Sequence, residues 1–133
     1  MNGARICLGI CALTFFGLGL LLMWNPAPIL AKVDLTFTTP TAIADIRADY
    51  GGCIFGLSLF MGWCALRSDR VNFGLLCCGL TLSGYAIGRI IAIVIDGTPK
   101  QIIFILLAVE IVGAAVCFYF ARKSAKLVES KPI

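Results

Sequence analysis

Long apolar runs separated by short polar segments dominate this chain. Four of them are long enough to cross a hydrocarbon core of roughly 30 Å at a rise of about 1.5 Å per residue. These runs cover residues 6–24, 50–66, 71–95 and 102–121. The pattern predicts an all-α integral membrane protein, built as a bundle of four transmembrane helices.

Prolines and a capping threonine set the ends of the first two predicted helices. Asn-Pro-Ala-Pro at 25–28 stops the first helix, because proline cannot continue helical hydrogen bonding. Thr39 followed by Pro40 is typical of an N-cap with proline at the first helical position. We expect one membrane domain over 1–133, with helices at about 6–24, 40–66, 71–95 and 101–121, an outer loop at 25–39 and a basic cytoplasmic tail at 122–133.

The composition supports the membrane assignment. The chain is 60% hydrophobic and 14% charged, with a mean hydropathy of +0.99, which is far from the composition of soluble domains. A signal peptide is the alternative for the first run, since Arg5 precedes it and Ala31 ends a segment of small residues. It is less favoured because the run exceeds the usual length and Ile29 suits a cleavage site poorly.

The cationic residues divide unequally between the two sides of the predicted bundle. One side carries Arg5, Arg67, Arg70, Arg122, Lys123, Lys126 and Lys131, and the other carries Lys32, Arg47 and Lys100. By the positive-inside rule, both termini should be cytoplasmic. The net charge of +4 then reflects orientation and contact with anionic lipid headgroups, and we expect no nucleic-acid partner.

The chain has seven cysteines and no histidine. The cysteines are Cys7, Cys11, Cys53, Cys64, Cys77, Cys78 and Cys117. All of them fall in apolar runs and none forms a Cys-x-x-Cys pair, so small packing residues are favoured over a zinc site or a disulfide framework. Without histidine, the commonest acid-base catalyst is missing. We therefore expect neither metal nor cofactor and assign no catalytic residue.

Two charges lie inside the last two apolar runs, namely Arg89 and Glu110. An ionisable group at membrane depth costs several kcal/mol unless it is paired or hydrated. The short turn at 96–99 makes the third and fourth helices antiparallel neighbours, which brings Glu110 within reach of the Arg89 side chain. We predict an ion pair. Such a pair can mark a functional site, or it can serve only to fix helix register.

Glycines at a spacing of four predict close helix packing. A small-xxx-small pattern lets two backbones approach each other in lipid. Gly52 with Gly56, and Gly84 with Gly88, form two such pairs, and Gly113 lies on the small-residue face beneath Glu110. We expect all five to pack helices together.

Polar residues collect in the outer half of the predicted bundle. At about 100° per residue, Asp45 and Asp49 share the face of Gly52, and these two acids need a cation, for which Arg89 is the candidate. Together the residues predict a polar cluster of Asp45, Arg47, Tyr50, Arg89, Asp96 and Glu110, with Asp49 and Tyr85 beside it. Such a cluster could hold a lipid headgroup or another amphiphile, or relay protons.

Four spaced motifs resemble a known family. They are Ala42-x-x-Asp45-Ile46-Arg47-Ala48-x-Tyr50-Gly51-Gly52, Gly88-Arg89, Asp96-Gly97-x-Pro99 and Glu110. In this order they resemble the domain of unknown function 4345 family, over about residues 40–115. The resemblance implies a small multi-pass protein of the bacterial inner membrane with four helices, and it implies no activity. It also implies that the six residues of the polar cluster act together, whereas Asp49 falls at an open position.

Three kinds of function are compatible with these features. The favoured one is a non-catalytic accessory or binding protein, which packs with a larger membrane complex or a second copy of itself, or holds a lipid-like ligand. A small membrane enzyme would use Glu110 or Asp45 as acid-base and Arg89 to tune it. A proton-coupled transporter would also need such charges, but four helices are few for transport.

Overall fold

Four long helices make up most of the computed structural model, which describes the backbone of residues 2–129 and the side chains of residues 2–124. They are α1 (Asn2–Trp24), α3 (Pro40–Leu66), α4 (Val71–Asp96) and α5 (Gln101–Glu129). A short helix, α2 (Ala27–Leu30), and a 3-10 turn (Ala31–Val33) lie between α1 and α3. All four long helices are apolar enough to span a membrane. The predicted all-α fold with four such helices is therefore confirmed.

The helices alternate in direction, so the bundle has two different ends. The basic end carries Arg5, Arg67, Arg70, Arg122 and Lys123, and the loop end carries the segment 25–39 and the turn 97–100. α1 packs mainly on α3, and α4 packs mainly on α5. Further contacts of α3 with α4, and of α1 with α4 and α5, close the four helices into a bundle.

The main core lies in the half of the bundle nearer the basic end. Its fully buried side chains come from all four long helices and are Leu8, Met61, Cys64, Leu75, Cys78 and Cys117. A smaller core at the loop end joins Leu22 of α1, Ile54 of α3 and Leu30 of α2. The segment 25–39 therefore folds back onto α1 and α3.

Two arginines tie α1 and α3 together at their ends. Arg5 Nε donates a hydrogen bond to the carbonyl of Ala65 at 3.0 Å, and its Nη2 donates to that of Leu66 at 3.2 Å. At the loop end, Arg47 Nη2 donates to the carbonyl of Trp24 at 3.3 Å. The last carbonyls of a helix lack intrahelical partners and carry partial negative charge. Each helix thus supplies a cation that caps the C-terminus of the other.

Glycines bring α1 and α3 into close contact. A Cβ atom at Gly19 would lie 2.8 Å from the backbone nitrogen of Phe55, and one at Gly51 would lie 2.8 Å from that of Met23. Neither neighbour is the flexible end of a side chain, so any larger residue would push the two helices apart. The contact between α1 and α3 depends on these two positions.

The predicted glycine pairs lie elsewhere. A Cβ at Gly56, Gly84 or Gly88 would meet no atom within 4 Å, and one at Gly52 would meet only the carbonyl oxygen of Arg47 in its own helix. The prediction that these four residues pack helices within the chain is therefore wrong. The fifth, Gly113, does lie at a contact, because a Cβ there would be 2.9 Å from Leu82 Cδ1 on α4.

A π-helical stretch changes the direction of the inward face along α3. Residues Arg47–Gly52 form this wider turn, in which hydrogen bonds run from i to i+5. The residues of α3 that face inward are Ile46, Gly51, Ile54 and Ser58. The interval from Ile46 to Gly51 is longer than the α-helical interval of three or four residues, whereas the later intervals are α-helical. One extra residue in a turn rotates the following side chains by about 100°. Gly51 shares the inward face of Ile54 and Ser58, whereas Gly52 and Gly56 lie on a different face of the helix.

The helix ends differ from the sequence expectations at two places. The Thr39 side chain accepts a hydrogen bond from the backbone nitrogen of Ala42 at 3.2 Å, so the predicted N-cap with Pro40 after it is confirmed. The first helix begins at Asn2 rather than near residue 6. The expected tail at 122–133 is helical as far as Glu129, and residues 130–133 lie outside the described part of the chain.

Large apolar side chains cover the outside of the bundle. Leu13, Leu66 and Val94 are 73%, 78% and 78% exposed. A surface of this kind suits contact with lipid hydrocarbon rather than water. The fold therefore agrees with a membrane protein.

The close contact of α1 with α3 predicts different effects for two glycines of α1. We expect Gly19→Ala to lower stability by about 1–3 kcal/mol, because its methyl group would overlap the backbone of Phe55. Gly17→Ala is the control, since a Cβ there would meet nothing within 4 Å. Thermal unfolding in detergent micelles measures both. Equal melting temperatures for the two variants would contradict the packing.

Candidate functional site

Arg89 of α4 and Glu110 of α5 form the ion pair that the sequence predicts. Arg89 Nε donates to both carboxylate oxygens of Glu110, at 2.9 Å each. Glu110 is only 7% exposed, whereas 27% of the Arg89 side chain is exposed. The pair lies in the loop-end half of the bundle, since Arg89 precedes the end of α4 at Asp96 by about 10 Å of helix.

The ion pair leaves most of the Arg89 guanidinium without a protein partner. Among the described residues, no oxygen accepts a hydrogen bond from its Nη1 or Nη2. These nitrogens are not fully buried. Among the described residues, the one fully buried side-chain nitrogen or oxygen that lacks a hydrogen-bond partner is Asn72 Oδ1, so the Nη atoms are at least partly exposed. Since a guanidinium has five N–H donors and Nε supplies one, four donors reach the surface.

One tyrosine lies near the pair, and a second tyrosine and a cysteine lie near the first. Tyr85 lies one turn before Arg89 on α4, and both ion-pair partners lie within electrostatic range of its hydroxyl. Tyr50 and Cys53 of α3 lie within the same range. Both tyrosines are partly exposed, at 39% for Tyr85 and 48% for Tyr50. These five residues, called the Arg89 site below, belong to α3, α4 and α5.

The other members of the predicted cluster lie outside the Arg89 site. Arg47 caps α1 at Trp24, a role that the sequence analysis misses because it depends on the contact between two helices. Asp45, Asp49 and Asp96 are exposed, and none of the hydrogen bonds or ion pairs among the described residues includes them. The expectation that Arg89 serves Asp45 and Asp49 is wrong, because Arg89 binds Glu110 instead and both aspartates are exposed.

The Arg89 site is better suited to binding than to acid-base chemistry. Glu110 is only 7% exposed and is paired with Arg89, so little of its carboxylate is open to a substrate while the pair is intact. What the site does offer is a set of hydrogen-bond donors, from the Arg89 Nη groups and the two tyrosine hydroxyls. Such donors are able to bind acceptor oxygens.

A second polar cluster lies in the core near the basic end. The Sγ atoms of Cys7, Cys11 and Cys117 all lie within 4.8 Å of one another. The thiol of Cys78 is a neighbour of Cys11 and Cys117. We call these four residues the thiol cluster. The sequence analysis misses it because its members come from α1, α4 and α5, and the spacing of Cys7 and Cys11 by one helical turn is the sole local signal.

The burial of Glu110 predicts unequal effects of breaking the ion pair. We expect Arg89→Ala to cost about 3–5 kcal/mol, because it leaves the enclosed Glu110 carboxylate unpaired. Glu110→Ala should cost less, since Arg89 already reaches the surface. The double variant should recover part of the loss, and thermal unfolding of all three variants measures this coupling.

An exposed ion pair of the same chain provides the control. Lys100 Nζ lies 2.6 Å from Asp34 Oδ1, and both side chains are more than half exposed. Lys100→Ala should therefore change stability by less than about 1 kcal/mol.

If the effects of Arg89→Ala and Glu110→Ala simply add in the double variant, the interaction between the two side chains contributes nothing to the stability of the fold.

Comparison with known proteins identifies the family of the chain. No curated protein and no solved structure matches it significantly. The sequence model described as "Domain of unknown function (DUF4345)" matches residues 3–121, which is nearly the whole chain. The match thus includes α1, which lies outside the motifs at residues 40–115. The Arg89 site and the thiol cluster both lie inside the matched region. Because the match covers nearly the whole chain, the chain belongs to the DUF4345 family.

Proposed function

We propose that this protein is a non-catalytic binding protein of the membrane, which holds an amphiphile by its polar head at the Arg89 site. The observation that carries the proposal is the Arg89 guanidinium, whose Nη groups have no acceptor among the described residues. The wider alternatives, a small enzyme or a proton-coupled transporter, have no comparable support. The proposal gives the unpaired donors a partner.

Donors at this depth need an acceptor. In a bilayer, an N–H group that faces hydrocarbon without a partner costs several kcal/mol. Arg89 lies about 10 Å of helix below the end of α4, deep enough for its Nη groups to meet acyl chains rather than bulk water. An amphiphile that brings oxygen atoms to this level would satisfy these donors and leave its tail along the apolar surface of the bundle.

The charge of the site favours a head with no net charge. Arg89 and Glu110 neutralise each other, so a free anion bound to the Nη groups would leave one uncompensated negative charge in a medium of low dielectric. Carbonyl or ester oxygens, or a zwitterionic headgroup, supply acceptors without that cost. The Tyr85 hydroxyl, within electrostatic range of both Arg89 and Glu110, adds a further donor, and Tyr50 lies within the same range of Tyr85. A quinone carbonyl or a neutral lipid ester has the chemistry required.

We propose that the protein sits in a bacterial inner membrane with its basic end in the cytoplasm. The basic end gathers Arg5, Arg67, Arg70, Arg122 and Lys123, whereas Lys32, Arg47 and Lys100 belong to the loop end. This asymmetry has the sign that the positive-inside rule requires. The Arg89 site would then open toward the outer leaflet.

The proposed orientation is tested by reporter fusions. A fluorescent protein that matures only in the cytoplasm should be bright when it is fused after Ile133 and dark when it is inserted in the segment 25–39. The reverse result would place the Arg89 site in the inner leaflet.

Native mass spectrometry of the protein, extracted with its own lipids in a polymer nanodisc, tests the binding function. We expect one small amphiphile per chain, identified by lipid and small-molecule analysis of the same sample. Arg89→Lys keeps the charge opposite Glu110 but removes the planar donors. It should lower the occupancy about ten-fold, which corresponds to about 1.4 kcal/mol. Tyr85→Phe should lower it a few-fold, since it removes one hydroxyl.

Matched variants at the basic end serve as controls. Arg70→Lys changes an exposed arginine and Tyr119→Phe an exposed tyrosine, both far from the Arg89 site. Neither should alter the occupancy. Equal occupancy in Arg89→Lys and the wild-type protein would overturn the proposal. So would a wild-type protein that carries no amphiphile and is isolated instead with a stoichiometric larger protein, which would make it an accessory subunit.

A further inference from the structure

We infer that the thiol cluster is a binding site for a soft, thiophilic metal ion. It lies in the half of the bundle nearer the basic end, whereas the Arg89 site lies in the loop-end half. The inference does not depend on the proposed binding of an amphiphile, because the two sites share no residue.

The geometry of the thiols suits a metal ion. For a metal–sulfur distance of about 2.3 Å, two sulfurs lie about 3.8 Å apart in a tetrahedral site and about 4 Å apart in a trigonal one. The Sγ atoms of Cys7, Cys11 and Cys117 are already within 4.8 Å of one another. Side-chain rotations that move the Sγ atoms by about 1 Å or less would bring them to bonding positions. Cys78 stands beside them as a fourth sulfur.

The ligand set determines which ions can bind. Every candidate ligand is a cysteine sulfur, and the chain has no histidine at all. Thiolates select soft or borderline ions such as Cu(I) and Zn(II), whereas Mg²⁺ and Ca²⁺ require oxygen. Each thiol that binds as a thiolate releases its proton, so metal binding should be accompanied by proton release and should weaken as the pH falls.

The position of the cluster also suits a metal ion. Cys78 and Cys117 are fully buried, which keeps water away from the ion. Cys7 and Cys11 are partly exposed and lie within two turns of Arg5, so an ion can enter from the basic end. Because the ligands come from α1 and α5, a bound ion would join the first and last helices of the chain.

Metal titration of the reduced, detergent-purified protein tests the inference, with Zn(II) and Cu(I) as separate arms. Zn(II) binding is followed by proton release and Cu(I) binding by competition with a chromogenic chelator. We expect one ion per chain in at least one arm, and the arm with the tighter binding identifies the ion. The bound ion should also raise the melting temperature, because it binds the folded state alone.

The chain itself offers a matched control, since three cysteines lie outside the cluster. Cys7→Ser/Cys11→Ser/Cys117→Ser should abolish binding, whereas Cys53→Ser/Cys64→Ser/Cys77→Ser should keep both the binding and the rise in melting temperature. If the first triple variant does not fold, Cys11→Ser alone should weaken binding at least ten-fold. The inference is overturned if the wild-type protein binds neither ion, if the first triple variant still binds, or if both triple variants lose binding equally.

Discussion

A helical bundle whose exterior is largely apolar cannot rely on hydrophobicity alone to choose which face of each helix turns inward. In the membrane setting proposed for this chain, lipid attracts an apolar face as readily as a neighbouring helix does. Steric fit and polar contacts must therefore make the choice. Gly19 and Gly51 do so for α1 and α3, where the backbones come too close for any Cβ. The Arg89–Glu110 pair does so for α4 and α5, because rotation of either helix about its axis would leave each charge without its partner.

The arginines of the chain have different partners, and this difference singles out Arg89. Arg5 and Arg47 donate to carbonyls at the ends of helices, and Arg70 lies over the Trp63 ring at 5.0 Å. All three have protein contacts that explain their positions. Within the part of the chain that the structure describes, Arg89 has such a contact for Nε alone, and its Nη groups remain available. A structural ion pair and a ligand site are therefore compatible in one residue, since they use different nitrogens of the same guanidinium.

Local signals predict much of this fold, whereas contacts between helices are harder to predict. Helix number, the Thr39 cap and the Arg89–Glu110 pair follow from apolar length, capping chemistry and a short turn. The glycine pair of α3 is wrong because Gly51 shares the inward face of Ile54 and Ser58, whereas the spacing of Gly52 and Gly56 by four residues does not show which way that pair faces. In α4, Leu82, Ala86 and Arg89 lie on the inward face, and the face of Gly84 and Gly88 turns outward. The thiol cluster could not be predicted from a short sequence motif, because its cysteines come from three helices.

The last helix links both sites. α5 packs mainly on α4, and its contact with α1 is the weaker closure of the bundle. Glu110 strengthens the first contact at the loop end, where it meets Arg89. Cys117 lies at the second contact, where its sulfur approaches those of Cys7 and Cys11. An ion held by these three thiols would bridge α1 and α5, the seam that packing alone closes least firmly. The thiol cluster is thus placed where a metal ion would add a direct link to a contact that otherwise depends on packing, such as that of Gly3 against the Phe120 ring.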